Sequence, residues 1–239
     1  MTTTSTTQSA HFLSKCELSE AMKPREPLEL KPGRTLDRAS ACRQAGICGF
    51  PRLHCDRIAE FGRTLDTPRA SVHRQVWRSM RSGSMVMLMG DRGHGKTHMV
   101  TLVGSEWWAF GYGLSVGAAR YWRMADLFSE QKKWFDCKRD EWNNPIRQPL
   151  EVARTCGLLV LDEIQERIGT DWEHAELVRL LDVRYAESRP LILVTNRTLR
   201  DVAPIVGISA MDRMKEGGGV FECNWFNFRD RLRREVTHA

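Results

Sequence analysis

The sequence predicts an α/β fold, a parallel central sheet covered by helices on both faces, from three observations. Short continuous apolar runs recur along the chain, helix-length segments separate most of them, and the first run passes directly into a glycine-rich turn. Apolar runs without alternation suit strands buried on both faces, and strands that alternate with helices pair in parallel. The 239 residues suffice for one substantial domain, and 41% hydrophobic against 28% charged residues can close a core.

Taken in order, residues 1–10 are rich in Thr and Ser, and Pro24, Pro27 and Pro32 interrupt the stretch that follows. Residues 1–40 are therefore read as a short flexible N-terminal arm, a candidate partner-binding segment, and residues 41–239 as the folded domain. Gly46, Gly49 and Pro51 mark a turn into a short helix carrying Leu53, Ile58 and Phe61, with a second helix running to Trp77. Strands are expected at 85–89, 114–118, 158–161, 191–194 and 220–225, and helices at 99–110, 124–139, 148–155 and 173–187.

Composition narrows the function. Lys and Arg number 36 against 30 Asp and Glu, and residues 1–80 hold 13 cations and 8 acids, so the basic excess lies in the first third. This permits an anionic partner without requiring one. Seven irregularly spaced cysteines and a start lacking a basic, apolar leader predict a reduced, cytoplasmic protein. No apolar run reaches the length of about 18 to 20 residues that spans a bilayer, so no membrane partner is expected. Cys42, Cys48, His54 and Cys55 invite a zinc reading, but they lack the close Cys pairs of structural zinc sites.

Three strand ends carry the chemistry. Gly90-Asp91-Arg92-Gly93-His94-Gly95-Lys96-Thr97 fits the phosphate-binding pattern G-x-x-x-x-G-K-[ST] at every fixed position, between a strand and a helix. Its glycines let successive N–H groups turn inward towards phosphate, Lys96 would neutralise the outer phosphates of ATP, and Thr97 would ligate Mg2+. The alternative is a chance glycine-rich turn. The run 158–161 ends in Asp162-Glu163, one carboxylate for Mg2+ and one to polarise the attacking water; alone, such an ending also describes a solvated strand end. The run 191–194 ends in Thr195-Asn196 at the same edge of a parallel sheet, making Asn196, with Thr195 as its substitute, a candidate for orienting that water, or else a turn cap.

Gly95-Lys96-Thr97-His98, the 159–164 segment, Thr195-Asn196, Met211-Asp212-Arg213-Met214 and Asn224-Trp225-Phe226-Asn227-Phe228-Arg229 occur in this order. Together they resemble the AAA+ class, and within it the DnaC-type helicase loaders and the related IstB-type transposition ATPases, over residues 41–234. That resemblance implies an AAA+ P-loop ATPase with low intrinsic turnover. It places Gly90 to His98 and Arg229 around the nucleotide, with Arg229 as second sensor and Arg213 as an arginine finger for a neighbouring subunit. A finger in trans implies head-to-tail self-assembly. The residues themselves leave Arg213 open as a surface ion pair and Arg229 as part of a basic terminus.

The partners implied are a replicative hexameric DNA helicase and single-stranded DNA. Lys132, Lys133, Trp134, Lys138 and Arg139 interleave cations and aromatics where the family carries a DNA-binding helix, although Leu127, Gln131 and Trp134 also share one helical face and could be core. The leading expectation is thus an ATP-dependent helicase loader. A transposition helper that binds duplex DNA and a nucleotide-responsive scaffold without turnover are the alternatives.

Overall fold

The computed structural model describes residues 30–63, 65–136, 148–166 and 169–225. In chain order these form α1 (Arg38–Ile47), α2 (Arg52–Phe61), α3 (Thr67–Arg81), β1 (Met85–Met89), α4 (Lys96–Ala109), α5 (Tyr112–Ser115), β2 (Ala119–Arg123), α6 (Met124–Asp136), α7 (Pro149–Thr155), β3 (Leu158–Asp162), α8 (Asp171–Ala186), β4 (Leu191–Val194), α9 (Leu199–Val206), α10 (Ile208–Gly217) and β5 (Gly219–Glu222).

The five strands form one sheet in the order β2-β3-β4-β1-β5, every pair parallel. Alternation along the strands divides the core into two layers. Val86, Leu88, Leu158, Val160, Ile192 and Val194 face the layer built with α1 to α5. Met85, Met87, Leu159, Leu161, Leu191 and Leu193 face the layer built with α6 to α10. Because β1, β3 and β4 are covered on both sides, their sequences run apolar without a break.

The edge strands behave differently, and this corrects one expectation. Residues 114–118 are not a strand: Tyr112–Ser115 forms a single helical turn and Leu114 is exposed. The strand lies at Ala119–Arg123, where Ala119 and Tyr121 point inward between the more exposed Arg120, Trp122 and Arg123. An edge strand alternates and carries charge, so it does not read as an apolar run. The last strand is likewise shorter than 220–225, ending at Glu222, after which the Cys223 N–H donates to the Met89 carbonyl at 2.6 Å.

Helices α1, α9 and α10 are not apparent from the sequence. Asp37 caps α1 by accepting from the Ser40 N–H at 2.9 Å, although Gly46 lies within the helix. Thr198 caps α9, whose interior holds Pro204, and Gly207 separates it from α10. Residues 30–36 lie across the carboxyl ends of α3 and α4: Leu30 N–H donates to Arg81, Gly33 N–H to Gly111 and Leu36 N–H to Ala109.

A buried cation joins β3 to β4 at their amino ends. Arg184 of α8 is fully buried and donates to the carbonyls of Ala153 at 2.7 Å, Cys156 at 3.0 Å and Pro190 at 2.6 Å. It thereby ties the turn before β3 to the turn before β4. Cys42, Cys48 and Cys55 are core side chains in reduced form, and burial raises their thiol pKa values.

Candidate active site

All the predicted chemistry that falls on described residues of the sheet collects at the carboxyl edge, because parallel strands end together. The turn after β1 curls with Gly90, Gly93 and Gly95 at positive φ (133°, 92° and 77°), and α4 starts at Lys96. Gly90 admits no side chain: a Cβ there would lie 2.4 Å from the Cys223 carbonyl oxygen. Lys96 is 5% exposed and its ammonium donates to the carbonyls of Gly90 at 2.5 Å and Asp91 at 2.7 Å. Burial lowers its pKa, opposed by Cys223, Asp162 and Asp91. Trp225 Nε1 donates to the His94 carbonyl, joining the end of β5 to the same loop.

Asp162 is the most tightly held group of the site. It is 4% exposed; its Oδ2 accepts from the hydroxyls of Thr97 and Tyr121, each at 2.9 Å, and its Oδ1 accepts from the Glu163 N–H at 2.8 Å. Glu163 sits at φ 53°, a backbone state costing about 1–3 kcal/mol for a non-glycine residue. This conformation directs the two neighbouring carboxylates differently, and Glu163 Oε2 lies 3.6 Å from Arg123 Nε. Burial raises the Glu163 pKa, with Glu166 and Asp162 adding to the rise and Arg123 opposing it.

Beyond β4, the Thr195 hydroxyl donates to Gln165 Oε1 at 2.9 Å, and the Asn196 N–H reaches the same oxygen at 3.4 Å. Asp91, Arg92, Gln165, Glu166, Asn196 and Arg197 line an open cleft of about 610 Å³ beside the glycine turn. Arg92 bridges to Glu166 at 2.9 Å across this cleft. Tyr121, Arg123, Gln165 and Glu166 are site residues that the sequence does not reveal. Tyr121 and Arg123 lie on β2, the edge strand whose register the apolar pattern conceals, and Gln165 and Glu166 follow Glu163 as ordinary polar residues.

The remaining predicted residues divide. His98, one residue past Thr97, turns towards α2 and meets His54 edge-on with ring centroids 5.4 Å apart. Arg213 lies outside this cleft; it pairs with Asp182 and lies 4.6 Å over the Tyr185 ring. Lys132 is committed to the buried Glu173 at 2.7 Å, while Lys133 is exposed and Trp134 is half-buried against Phe135. Gln131 is buried and its Oε1 accepts the Leu150 N–H at 3.0 Å, so this part of the basic segment anchors α7. Lys138, Arg139 and Arg229 lie outside the described residues, as do residues 1–29 of the expected arm.

The oxygen atoms of Thr97 and Asp162 are the hard donors that suit Mg2+, and the glycine turn with Lys96 at the start of α4 is built to receive phosphate. These residues fit a magnesium nucleotide.

No family model matches the chain. The replicative helicase loader DnaC of Escherichia coli strain K12 is 26% identical over 144 residues, which is 60% of this chain and 55% of that protein. The chain thus spans about half the length of the curated relatives it matches. A crystal structure of the DnaC helicase loader superposes with a TM-score of 0.51 at 19% identity, covering 67% of this chain and 91% of that one. The replication initiator DnaA bound to AMPPCP and single-stranded DNA superposes with a TM-score of 0.54 at 18% identity, covering 73% of this chain and 52% of that one. Among the described residues no helix is long and apolar enough to cross a membrane. With its five parallel strands, its glycine turn and its paired carboxylates, the chain has the AAA+ P-loop ATPase fold, and its sequence resembles the DnaC-type replicative helicase loaders.

Proposed function

We propose that this chain is an ATP-dependent helicase loader: it binds ATP with Mg2+, binds single-stranded DNA, assembles head-to-tail and helps to load a replicative hexameric DNA helicase in the cytoplasm. The observation that carries the catalytic part is the Thr97 hydroxyl on Asp162 with Glu163 beside it, at the mouth of the glycine turn. The loader part is supported by the similarity to DnaC.

The chain's residues divide the work of phosphoryl transfer. Bound Mg2+ supplies charge neutralisation at the phosphate oxygens. Lys96 exchanges its loop carbonyls for phosphate oxygens, and the N–H groups of the turn hold them. Tyr121 and the Glu163 N–H hold Asp162 in place, and Asp162 and Thr97 would hold the cation. Glu163 accepts the proton of the attacking water, a role helped by its raised pKa. Asn196, set by Gln165, orients that water from β4. Arg213 serves a neighbouring subunit, for which it must leave Asp182, and Arg229 serves the chain's own nucleotide.

The test is ATP turnover by the purified protein without DNA, with single-stranded DNA and with duplex, comparing wild type and Arg213→Ala. Stimulation by single strands that disappears in the variant supports the loader. Stimulation by duplex alone reassigns the chain to a transposition helper, and absence of turnover in every condition removes the enzymatic reading.

A further inference from the structure

The basic excess of the first third of the chain takes no part in the nucleotide site. Between residues 30 and 81 there are eleven Lys and Arg and four Asp and Glu, and the structure shows where part of that surplus meets exposed aromatic surface. At the carboxyl ends of α3 and α4, Pro32, Gly33 and Thr35 close one side of a cleft of about 360 Å³ whose other walls are Trp77, Phe110, Tyr112 and Arg81. The Trp77 ring lies 5.4 Å from Phe110, tilted by 50°, and meets Tyr112 edge-on at 5.9 Å. Phe110 is 47% exposed and Leu114 beside it 56%. An aromatic-walled recess of this volume is at the small end of ligand pockets and can hold one planar ring system.

The surround is cationic. Arg74, Arg78 and Arg81 occupy successive turns of the α3 face that carries Trp77, and Lys31 and Arg34 stand on the segment opposite. Lys31, Arg34, Arg74 and Arg78 are exposed, and among the described residues no acidic side chain pairs with them. The nearby acids are committed elsewhere: Asp37 caps α1, Asp66 binds Arg69, and Glu106 meets His73 at 2.8 Å. From Lys96 to Ala109, α4 places this surface roughly 20 Å from the glycine turn, at 1.5 Å rise per residue. It is therefore separate from the nucleotide site.

We propose that this cleft is a binding site for single-stranded DNA, with an unstacked base against the Trp77–Phe110 pair, opposite Pro32, and the flanking phosphates on Arg34, Arg74 and Arg78. Aromatic faces receive a base whatever its identity, and surrounding cations neutralise the backbone, the combination by which proteins hold single strands without sequence preference. A duplex keeps its bases stacked and cannot fill the recess, and an acidic polypeptide satisfies the cations but gives the aromatic walls no ring. The proposal rests on the reading that the chain binds single strands and names where; α6, whose Lys132 is spent on Glu173, has fewer cations to offer among its described residues.

The test is fluorescence anisotropy of a labelled 20-mer of deoxythymidine with the full chain, across a salt series, for wild type, Arg74→Glu/Arg78→Glu and Phe110→Ala. All three side chains are exposed, so binding of a fluorescent ATP analogue should match wild type and report intact folding, with the melting temperature lowered by no more than about 5 °C for the lost Trp77 contact and the acidic last turn of α3. The charge variant should weaken binding at least tenfold and lower the salt slope by about 1.4, two phosphate contacts at about 0.7 each. Phe110→Ala should weaken it about tenfold with the salt slope unchanged. Wild-type affinity for the oligonucleotide in both variants overturns the site while leaving single-strand binding elsewhere on the chain. No binding by wild type at low salt overturns both the site and the reading beneath it. Equal competition by polyglutamate, with Phe110→Ala indistinguishable from wild type, overturns the nucleic-acid assignment in favour of an acidic protein partner.

Discussion

Replacing Tyr121 by Phe isolates one of the hydroxyls that hold the Asp162 carboxylate. The ring remains, packed 5.5 Å from Phe50, while Asp162 falls from three donors to two. Burial and the Asp162 charge raise the Tyr121 pKa, so the phenol is a donor throughout the ordinary pH range. A hydrogen bond to a charged group contributes about 1.5–3 kcal/mol, and with Asp162 only 4% exposed, water cannot replace the lost donor. Tyr121→Phe should therefore lower folding stability by about 2 kcal/mol in EDTA, read from urea unfolding as a shift in midpoint at constant m. With Mg2+ and ADP present the loss should shrink below about 1 kcal/mol, because a cation beside Asp162 supplies the charge that the hydroxyl balanced. The thermodynamic cycle then requires the variant to bind Mg2+·ADP more tightly, by about fivefold for each kcal/mol recovered. A loss under about 0.5 kcal/mol in EDTA, or an equal loss in both conditions, would refute this reasoning.

Lys96→Ala should abolish binding of a fluorescent ATP analogue, whereas Glu163→Gln should retain binding and lose turnover; loss of binding in both would show that Glu163 holds the loop rather than the water. Arg213→Ala should bind ATP as wild type but lose the rise of specific turnover with protein concentration, measured by phosphate release; an unchanged concentration dependence contradicts the finger. Arg184→Leu should cost at least about 3 kcal/mol in urea unfolding, since it strips the carbonyls before β3 and β4 of a buried charged donor; a loss below about 1 kcal/mol would show that those carbonyls find other donors. Burial, reinforced by His54, Arg57 and Arg69, lowers the His98 pKa to about 4, so the unfolded chain takes up this proton near pH 6.5 and the folded chain does not. Stability should accordingly fall as the pH drops from about 6.5 towards 4, and His98→Gln should flatten that part of the profile; an unchanged profile would place the acid sensitivity elsewhere.

The glycine turn and the Asp162-Glu163 pair are legible in the sequence because β1 and β3 are central strands: covered on both faces, they run apolar and stop abruptly at the carboxyl edge of the sheet. The same logic located β4 and Thr195-Asn196. It failed at β2, where an edge position imposes alternation and charge, so the Leu114 run beside it drew the strand several residues early. Tyr121 and Arg123, which touch Asp162 and Glu163, were hidden for that reason. Pattern alone also left the basic stretch of α6 ambiguous, and only packing shows Gln131 anchoring α7 and Lys132 paired with a buried carboxylate.

The sequence by itself determined the parallel α/β class, the glycine turn after β1 and the two carboxylates, since each depends on local periodicity or on a motif contiguous in the chain. The tertiary structure decided what depends on contacts between distant segments. It set Tyr121 and Thr97 on one oxygen of Asp162, Gln165 under Asn196, Arg213 on Asp182, and residues 32–35 across the aromatic ends of α3 and α4. No spacing along one strand or helix encodes such pairings, because they arise only when the sheet order brings those ends together.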